Sequence, residues 1–342
     1  MSYRIAINFE DDVTRFFDCG EDETILDAAY RHKINLPMDC ADGVCGTCKG
    51  RCENGQYDLG DEYIEDALSD DEAAQGLVLT CQTVPQSDCV IRMPVASHLC
   101  KLRPQTVTGT LAEVSALSED SFELSVDMDA GTHLDFLPGQ YVNIDVPGEQ
   151  TTRSYSFSSR PGTSRGTFLI RNVANGVMSG YLTGRAQAGD ALTLTGPMGA
   201  FYLRPVERPV LMLAGGTGLA PFLAMLAELA ENGCRERIHL LYGVNCDAHL
   251  VKCDALDQLT QQLAHFSYDT VVLDDASAHP RKGYVTHHLS ADMLEQGDID
   301  IYVCGPPPMV EAVEAHIDHL GVEPHGLYAE KFLPRTAQED AA

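Results

Sequence analysis

Four cysteines in the first quarter of the chain constrain its fold more than any other feature of the sequence. Cys40, Cys45 and Cys48 lie in the segment CADGVCGTC, and Cys81 follows after a further 32 residues. Four thiols at this spacing can surround one metal centre if the loop between the first three is tight. The two glycines of the loop allow this, because a residue without a side chain lets backbone N–H groups approach the centre. The pattern therefore predicts metal or redox chemistry rather than a disulfide framework.

The spacing C-x4-C-x2-C…C is typical of plant-type ferredoxins, so Cys40, Cys45, Cys48 and Cys81 are the predicted ligands of a 2Fe–2S cluster. A structural zinc site is the alternative, but such sites usually show two C-x2-4-C pairs, and the second pair is missing here. Cys52 extends the run to C-x2-C-x3-C, as in bacterial cluster motifs, but a glutamate follows it where those motifs have proline. We therefore interpret Cys52 as a free cysteine packed in the fold.

The charge of the chain excludes several classes of partner. Lys and Arg number 23 and Asp and Glu 51, which gives a net charge of −28 at pH 7. Such a surface repels phosphate backbones and anionic lipid, so we expect no nucleic-acid partner and no membrane partner. Residues 1–98 hold 7 basic and 20 acidic side chains, an excess that suits docking on a basic protein or, equally, solubility or adaptation to salt. No run reaches the ~18 apolar residues of a membrane-spanning helix and the start has no apolar signal core, so we expect a cytoplasmic protein.

Hydrophobic patterning predicts a multidomain protein. Residues 1–95 begin with two alternating runs typical of a hairpin, then a helix, the cysteine loop and a strand at LVLTCQTV, which predicts an α+β ferredoxin domain of the β-grasp type. Residues 96–104 are the predicted linker. Residues 105–206 hold six short strand-like runs and a helix at VMSGYLTGRA, which indicates an antiparallel β-barrel. Residues 207–335 alternate between strand and helix, the pattern of an α/β parallel sheet, and residues 336–342 are a predicted tail.

Two segments of the α/β region predict a ligand site at one sheet edge, with phosphate at the first of them. The first, between an apolar strand and a helix, consists of Gly215, Gly216, Thr217 and Gly218. The second follows the strand DIDIYV and begins with Cys304, Gly305 and Pro306. A strand–turn–helix junction offers free N–H groups to phosphate, and open α/β sheets bind ligands at the carboxyl ends of their strands. The dinucleotide fingerprint G-x-G-x-x-G is absent.

Two further motifs lie in the barrel region. The first, on a strand, consists of Arg153, Ser154, Tyr155 and Ser156. The second, at a helix start, consists of Gly176, Val177, Met178 and Ser179. An arginine can pair with a pyrophosphate as a charge-assisted fork, a tyrosine offers a flat face to a ring system, and a helix start receives phosphate.

In its motifs and their order, the chain resembles the reductase components of benzoate-type aromatic-ring 1,2-dioxygenases. This family joins an N-terminal ferredoxin to a ferredoxin–NADP reductase-like pair of domains, and the resemblance covers residues 1–335. It implies an NADH-dependent oxidoreductase with FAD in the barrel domain, NADH in the α/β domain and a terminal oxygenase as the protein partner. Because hydride carries two electrons and a 2Fe–2S cluster accepts one, a flavin is needed between them.

The resemblance also implies roles for single residues. Cys304 lies beside the nicotinamide ring in this family, although a buried structural thiol is the alternative. Tyr155 would stack on the flavin and the Ser156 hydroxyl would hydrogen-bond its central-ring nitrogen, so these three are the predicted catalytic residues. Phe332 would approach the flavin or pack in the core, since ten residues extend past it.

Charge predicts the choice of nicotinamide cofactor. After the strand IHLLYGV the chain has Asp247 and no Lys or Arg before Lys252. A carboxylate near the ribose favours its free hydroxyls and repels a 2′-phosphate, which predicts NADH over NADPH. Asp247 in a solvated loop is the alternative. Two other functions stay open: the reductase of a di-iron multicomponent monooxygenase, and a non-catalytic redox sensor.

Overall fold

The computed structural model describes residues 2–101, 104–129 and 134–333. These form two compact units, of which the first holds the residues up to Pro104 with Met198–Ala200 and the second holds the rest. The predicted linker lies partly outside the described residues, and the predicted tail at 336–342 lies wholly outside them. None of the described helices is long and apolar enough to cross a bilayer.

The first unit is built on a five-stranded mixed sheet. The described part of this unit has seven strands, five of them in this sheet: β1 (Ser2–Phe9), β2 (Thr14–Gly20), β3 (Lys49–Asn54), β4 (Tyr57–Asp58), β5 (Leu77–Leu79), β6 (Val84–Pro85) and β7 (Cys89–Met93). The sheet order is β2-β1-β7-β3-β5, with β1 and β7 parallel and β1 and β2 forming the predicted hairpin. Strands β4 and β6 pair separately.

Two short helices complete this unit. Helix α1 (Ile25–Arg31) begins at Thr24, whose hydroxyl accepts a hydrogen bond from the third residue of the helix, as N-caps do. Helix α2 (Asp70–Ala74) begins with a capping box from Ser69. The core lies on one face of the sheet, where every second residue of β1, from Ile5 on, is buried.

The structure divides the run LVLTCQTV, which the sequence predicts as one strand. Strand β5 ends at Leu79, and a turn follows in which the Thr83 N–H donates to Leu79 O at 2.9 Å. The Thr80 hydroxyl donates to Cys48 O at 3.2 Å, which fixes the turn against the cysteine loop. The prediction of a single strand is wrong because this turn brings Cys81 beside Cys48, a requirement that local patterning does not reveal.

The second unit begins with the predicted antiparallel barrel. Its strands are β8 (Gln105–Ser118), β9 (Ser121–Met128), β10 (Tyr141–Asp145), β11 (Thr152–Ser156), β12 (Arg165–Arg171) and β13 (Ala191–Met198). The order is β11-β10-β13-β8-β9-β12, and a bridge between Phe157 and Phe168 joins the two outer strands. Helix α3 (Val177–Gly184) follows β12 and packs Tyr181 and Leu182 into the barrel core.

The same unit contains a parallel sheet. Its strands are β14 (Val210–Gly215), β15 (Ile238–Val244), β16 (Phe266–Val272), β17 (Asp300–Gly305) and β18 (Gly326–Lys331). Its helices are α4 (Leu219–Asn232), α5 (Cys253–Gln262) and α6 (Pro307–Leu320), with 3-10 turns at Gly216–Gly218, Asp247–His249, Val285–His288 and Ala291–Gly297. The order is β16-β15-β14-β17-β18, with every neighbouring pair parallel. Strands β14 and β17 are buried along their whole length, because apolar clusters cover both faces of the sheet.

Candidate functional site

The four predicted cluster cysteines come together in the first unit as two thiol pairs. Cys48 Sγ donates to Cys81 Sγ at 3.2 Å, and the Cys45 thiol donates to Cys40. Cys48 and Cys81 are buried, whereas Cys40 and Cys45 are half-buried. Among the described residues, no three His, Cys, Asp or Glu side chains are arranged around a single metal ion. Two cysteine pairs are the donor set of a 2Fe–2S cluster, in which each iron takes two thiolates.

The cysteine loop also directs backbone N–H groups at these sulfurs. The Asp42 N–H donates to Cys40 Sγ at 3.4 Å. The hydrogen bond from the Cys45 thiol and those from three loop N–H groups outweigh burial and lower the pKa of Cys40 to about 5. Gly43 makes the tight loop possible, because its φ is +76° and a Cβ there would lie 2.5 Å from Glu62 O. The loop thus fits a thiolate-bound, anionic cluster.

Strand β11 carries the first barrel motif at the edge of its sheet. Tyr155 is half-buried against the barrel core, and Ser156 is buried. The Arg153 guanidinium donates two hydrogen bonds of 2.7 Å, one to the Thr151 hydroxyl and one to the Thr152 carbonyl. The exposed Ser154 donates to Asn143 Oδ1 at 2.7 Å, so its hydroxyl serves strand pairing. Tyr155 thus packs on the barrel core and Ser156 is enclosed, and the roles of both toward a ring system stay predictions.

Helix α3 begins at the second barrel motif. Gly176 is its N-cap and provides no side-chain hydrogen bond. Ser179 Oγ accepts the Val173 N–H at 2.8 Å, so this hydroxyl stabilises the turn before the helix. Val177 and Met178 pack on the barrel core. Phosphate binding at this point would therefore rely on the backbone N–H groups of the first turn rather than on the serine hydroxyl.

The two segments of the predicted ligand site touch each other at the carboxyl ends of β14 and β17. A Cβ on Gly218 would lie 2.3 Å from Cys304 O, and one on Gly215 would lie 2.4 Å from Met309 Sδ. Gly216 has a φ of +54° and open space beside it, and it and Thr217 are partly exposed. The outer glycines therefore allow close packing of two strand ends, and the middle of the turn is left open to a ligand.

A polar group of three side chains joins the barrel to the parallel sheet. Ser156 Oγ donates to Glu330 Oε2 at 3.1 Å, and Cys304 Sγ lies 4.0 Å from the same oxygen. Cys304 and Glu330 are register partners on β17 and β18. Burial raises the pKa of Glu330 to about 8, against the opposing hydrogen bond from Ser156, and raises the pKa of Cys304 well above its ordinary value. Burial therefore favours the neutral form of both the carboxyl and the thiol.

Glu330 is the residue of this group that sequence reasoning did not assign to the site. The available signal was weak. Glu330 is an acidic residue on the less exposed face of β18, which it shares with Gly326 and Tyr328. Its importance depends on contact with Ser156, which lies 174 residues earlier in the chain.

Phe332 and Asp247 lie near the same edge of the parallel sheet. The Phe332 N–H donates to Gly305 O at 2.9 Å, and its ring packs partly on the core. Asp247 is exposed and begins the 3-10 turn that follows β15, the neighbour of β14. These positions agree with either interpretation of each residue, so the roles of Phe332 and Asp247 stay predictions.

Three domain families match the chain in the predicted order. The 2Fe-2S iron-sulfur cluster binding domain matches residues 8–86. The oxidoreductase FAD-binding domain matches residues 108–202, and the oxidoreductase NAD-binding domain matches residues 212–315. The predicted fold class and the three cofactors, 2Fe–2S, FAD and NADH, are thereby confirmed.

Relatives match over almost the full length. The toluate 1,2-dioxygenase electron transfer component of Pseudomonas putida is 52% identical, over 97% of this chain and 99% of its own. The 2-halobenzoate 1,2-dioxygenase electron transfer component of Burkholderia cepacia is 51% identical, over 98% and 99%. The solved structure of the Amycolatopsis cytochrome P450 reductase GcoB is similar, with a TM-score of 0.72 and 30% identity over 96% of this chain and 99% of that chain. The chain therefore belongs to the family of electron transfer components of aromatic-ring 1,2-dioxygenases, oxidoreductases that combine a 2Fe–2S, an FAD-binding and an NAD-binding domain.

Proposed function

We propose that this protein takes electrons from NADH and delivers them singly to the terminal oxygenase of a cytoplasmic dioxygenase that acts on benzoate-like aromatic carboxylates. The contacts of Glu330 with Ser156 and with Cys304 carry the proposal, because they bring the first barrel motif next to the end of β17. Bound FAD supplies the conversion between a two-electron donor and a one-electron acceptor. The substrate class rests on the resemblance and on the toluate and halobenzoate relatives.

The residues of the site bind, orient and protonate. Gly215 and Gly218 let the ends of β14 and β17 approach, so that phosphate groups meet backbone N–H groups at the turn. Cys304, which is 0% exposed, occupies the end of β17 and keeps water from the place assigned to the nicotinamide ring. Glu330 holds a proton at neutral pH, and Ser156 Oγ, 3.1 Å away, can pass it to the flavin side of the site. Proton supply at this oxygen would balance the charge that hydride transfer adds.

The preference for NADH rests on Asp247 at the end of β15. Its carboxylate is exposed, and the turn Asp247–His249 contains no lysine or arginine that could pair with a 2′-phosphate. Asp247→Ala should therefore lower the ratio of kcat/KM for NADH to kcat/KM for NADPH. The variant Asp254→Ala, which removes an acidic residue from the first turn of α5, is the matched control. An unchanged ratio in Asp247→Ala would make this residue a solvated loop residue.

The partner is proposed to approach the cysteine loop. Cys40 and Cys45 are the more exposed of the two thiol pairs, so electrons would leave on their side. The acidic surplus of residues 1–98 suits a basic surface on the oxygenase. No observation on the described residues favours a di-iron monooxygenase as the partner over a dioxygenase.

The test is an anaerobic absorption titration of the purified holoprotein, followed by turnover with two partners. We expect flavin and iron–sulfur bands that both bleach with stoichiometric NADH and little with NADPH. We also expect the reduced protein to support oxidation of benzoate-like acids by a dioxygenase oxygenase but not hydroxylation by a di-iron hydroxylase. A protein that bleaches its flavin and never its cluster would contradict the electron path, and turnover with the di-iron partner alone would contradict the choice of partner.

A further inference from the structure

Two cysteines of the first unit lie apart from the cluster ligands and next to each other. Strands β3 and β7 pair antiparallel, with Cys52 opposite Ile91. Cys89 precedes Ile91 by two residues, so its side chain points to the same face of the sheet. The register shifts between Cys52 and Asn54, and this bulge leaves the two thiols close enough for Cys89 to donate a hydrogen bond to Cys52. The thiol that sequence analysis interprets as merely packed therefore has a thiol partner.

The two thiols differ in their access to solvent. Cys89 is 2% exposed, and its Sγ also lies 3.3 Å from Ser87 O and 3.4 Å from Gln56 O. A Cβ on Gly55 would lie 2.5 Å from this sulfur, so the turn after β3 packs bare backbone on the thiol. Cys52 is only half-buried. An oxidant in solution would thus meet Cys52 first and find Cys89 behind it.

The surroundings also make Cys52 the more reactive thiol. The hydrogen bond from Cys89 outweighs burial and lowers the pKa of Cys52 to about 7, and the same contact raises the pKa of Cys89. Cys19 and Cys100 are buried in the same unit, and burial raises the pKa of each to about 12. The thiolate is the nucleophilic form of cysteine, so Cys52 is the reactive member of this set at neutral pH.

We propose that Cys52 and Cys89 form a second redox site, free of metal, that reacts with hydrogen peroxide and closes to a disulfide. The Cys52 thiol ionises and its thiolate attacks one peroxide oxygen, the O–O bond breaks, and a sulfenic acid forms on Cys52. The hydroxide that leaves takes up the proton released by the thiol and becomes water. The Cys89 sulfur then attacks the Cys52 sulfur, the S–O bond breaks, and a second water leaves. Together the two thiols lose two electrons and two protons, and peroxide is reduced to two waters.

The disulfide would connect β3 to β7 without using a cluster ligand. Strand β3 begins directly after Cys48, so the new bond would lie close in sequence to the cysteine loop and still leave its four thiols in place. We therefore expect peroxide to be consumed at this pair while the cluster and the flavin keep their absorption.

Peptide mapping of the holoprotein tests the proposal. Protein freed of reductant is treated with equimolar hydrogen peroxide under argon, alkylated, digested and examined by mass spectrometry. We expect the peptides of Cys52 and Cys89 to be linked with the loss of two hydrogens, to separate on addition of dithiothreitol, and to form without loss of the iron–sulfur absorption. Full alkylation of both cysteines after peroxide would overturn the proposal, as would a sulfinic acid on Cys52 beside a free Cys89.

Variants assign the two steps. In Cys89→Ser the Cys52 sulfenic acid should persist and react with dimedone, whereas Cys52→Ser should give no dimedone adduct and no linked peptide. Cys19→Ser, which removes another buried thiol of the same unit, is the matched control and should form the disulfide as the wild type does. Alkylation of Cys52 should be faster than that of Cys19 by on the order of tenfold or more. Equal rates, or a sulfenic acid on Cys89 in Cys52→Ser, would show that the pair does not work in this order.

Discussion

At the scale of single residues, the candidate site depends on glycines where a side chain would not fit and on a carboxyl group whose pKa is raised. Gly218 has no room for a Cβ because the Cys304 carbonyl lies directly beside it. Glu330 is a carboxyl group whose pKa is raised to about 8 by burial. The glycine is visible as part of a motif, but the reason for it is a contact with a strand almost ninety residues later in the chain.

Gly218→Ala should destabilise the second unit and weaken NADH binding. The new Cβ would lie 2.3 Å from a backbone oxygen, so either β17 or the GGTG turn has to move. Such overpacking costs about 1–3 kcal/mol of unfolding free energy. Denaturant unfolding and the KM for NADH measure both effects. Gly180→Ala, where nothing lies within 4 Å, is the control and should be neutral or slightly stabilising. Equal stability of the two variants would contradict the packing argument.

Glu330→Gln should change how stability depends on pH. The folded protein keeps the proton of Glu330 up to about pH 8, whereas an unfolded chain releases it near the ordinary value of 4.5. Between these values the folded state binds more protons, so the contribution of Glu330 falls as the pH rises. The variant should therefore become more stable relative to the wild type from pH 5 to pH 8, as measured by denaturant unfolding of the FAD-loaded protein.

The control for this pH series is Glu311→Gln, at an exposed carboxylate that pairs with Lys331 at 3.0 Å. The change with pH in Glu330→Gln should exceed the change in this control. A constant difference for Glu330→Gln would mean that this carboxyl is ionised at neutral pH and holds no proton for the site.

At the scale of elements, local patterning predicted most of the structure. The hairpin of β1 and β2, the six barrel strands, helix α3 and the alternation of strands and helices in the parallel sheet all occur where the sequence places them. Periodicity and turn residues are local signals, so they can be read from short segments. The strand predicted at LVLTCQTV is the exception, because a cluster ligand requires a turn there.

The cysteine loop is the element proposed to pass electrons to the acceptor. Cys45→Ser should abolish cluster-dependent reduction of cytochrome c and spare flavin-dependent reduction of ferricyanide, because only the first needs the cluster. Cys19→Ser, at a buried thiol outside the loop, should leave both activities intact. Equal loss of both activities in a folded, FAD-replete Cys45→Ser protein would contradict a linear path from flavin to cluster.

At the scale of the whole molecule, the dominant property is a net charge of −28. A charge of this size can serve solubility or can attract a basic partner over distances that contacts do not reach. Both roles agree with the sequence. Ionic strength separates them, because a salt solution screens exposed charges beyond about 10 Å at ~0.1 M.

Salt should weaken the productive encounter with the oxygenase. Between about 0.05 M and about 0.5 M salt we expect the KM for the oxygenase to rise severalfold, because the attraction between acidic and basic surfaces is screened. Flavin reduction at saturating NADH, followed by stopped flow, is the control and should stay nearly constant. If the KM for the oxygenase does not change with salt concentration, the acidic surface serves solubility alone.

The sequence by itself determined the cofactors, the order of the domains and the family, because cluster spacing, glycine turns and strand periodicity are encoded within short stretches of chain. The domain boundaries and the individual roles of all the predicted site residues stay predictions. Only the tertiary structure decided which side chains act together. Ser156, Cys304 and Glu330 meet through packing of the barrel on the parallel sheet, and Cys52 meets Cys89 across a strand bulge. Contacts between distant segments depend on how strands pair and pack, and no local pattern records that.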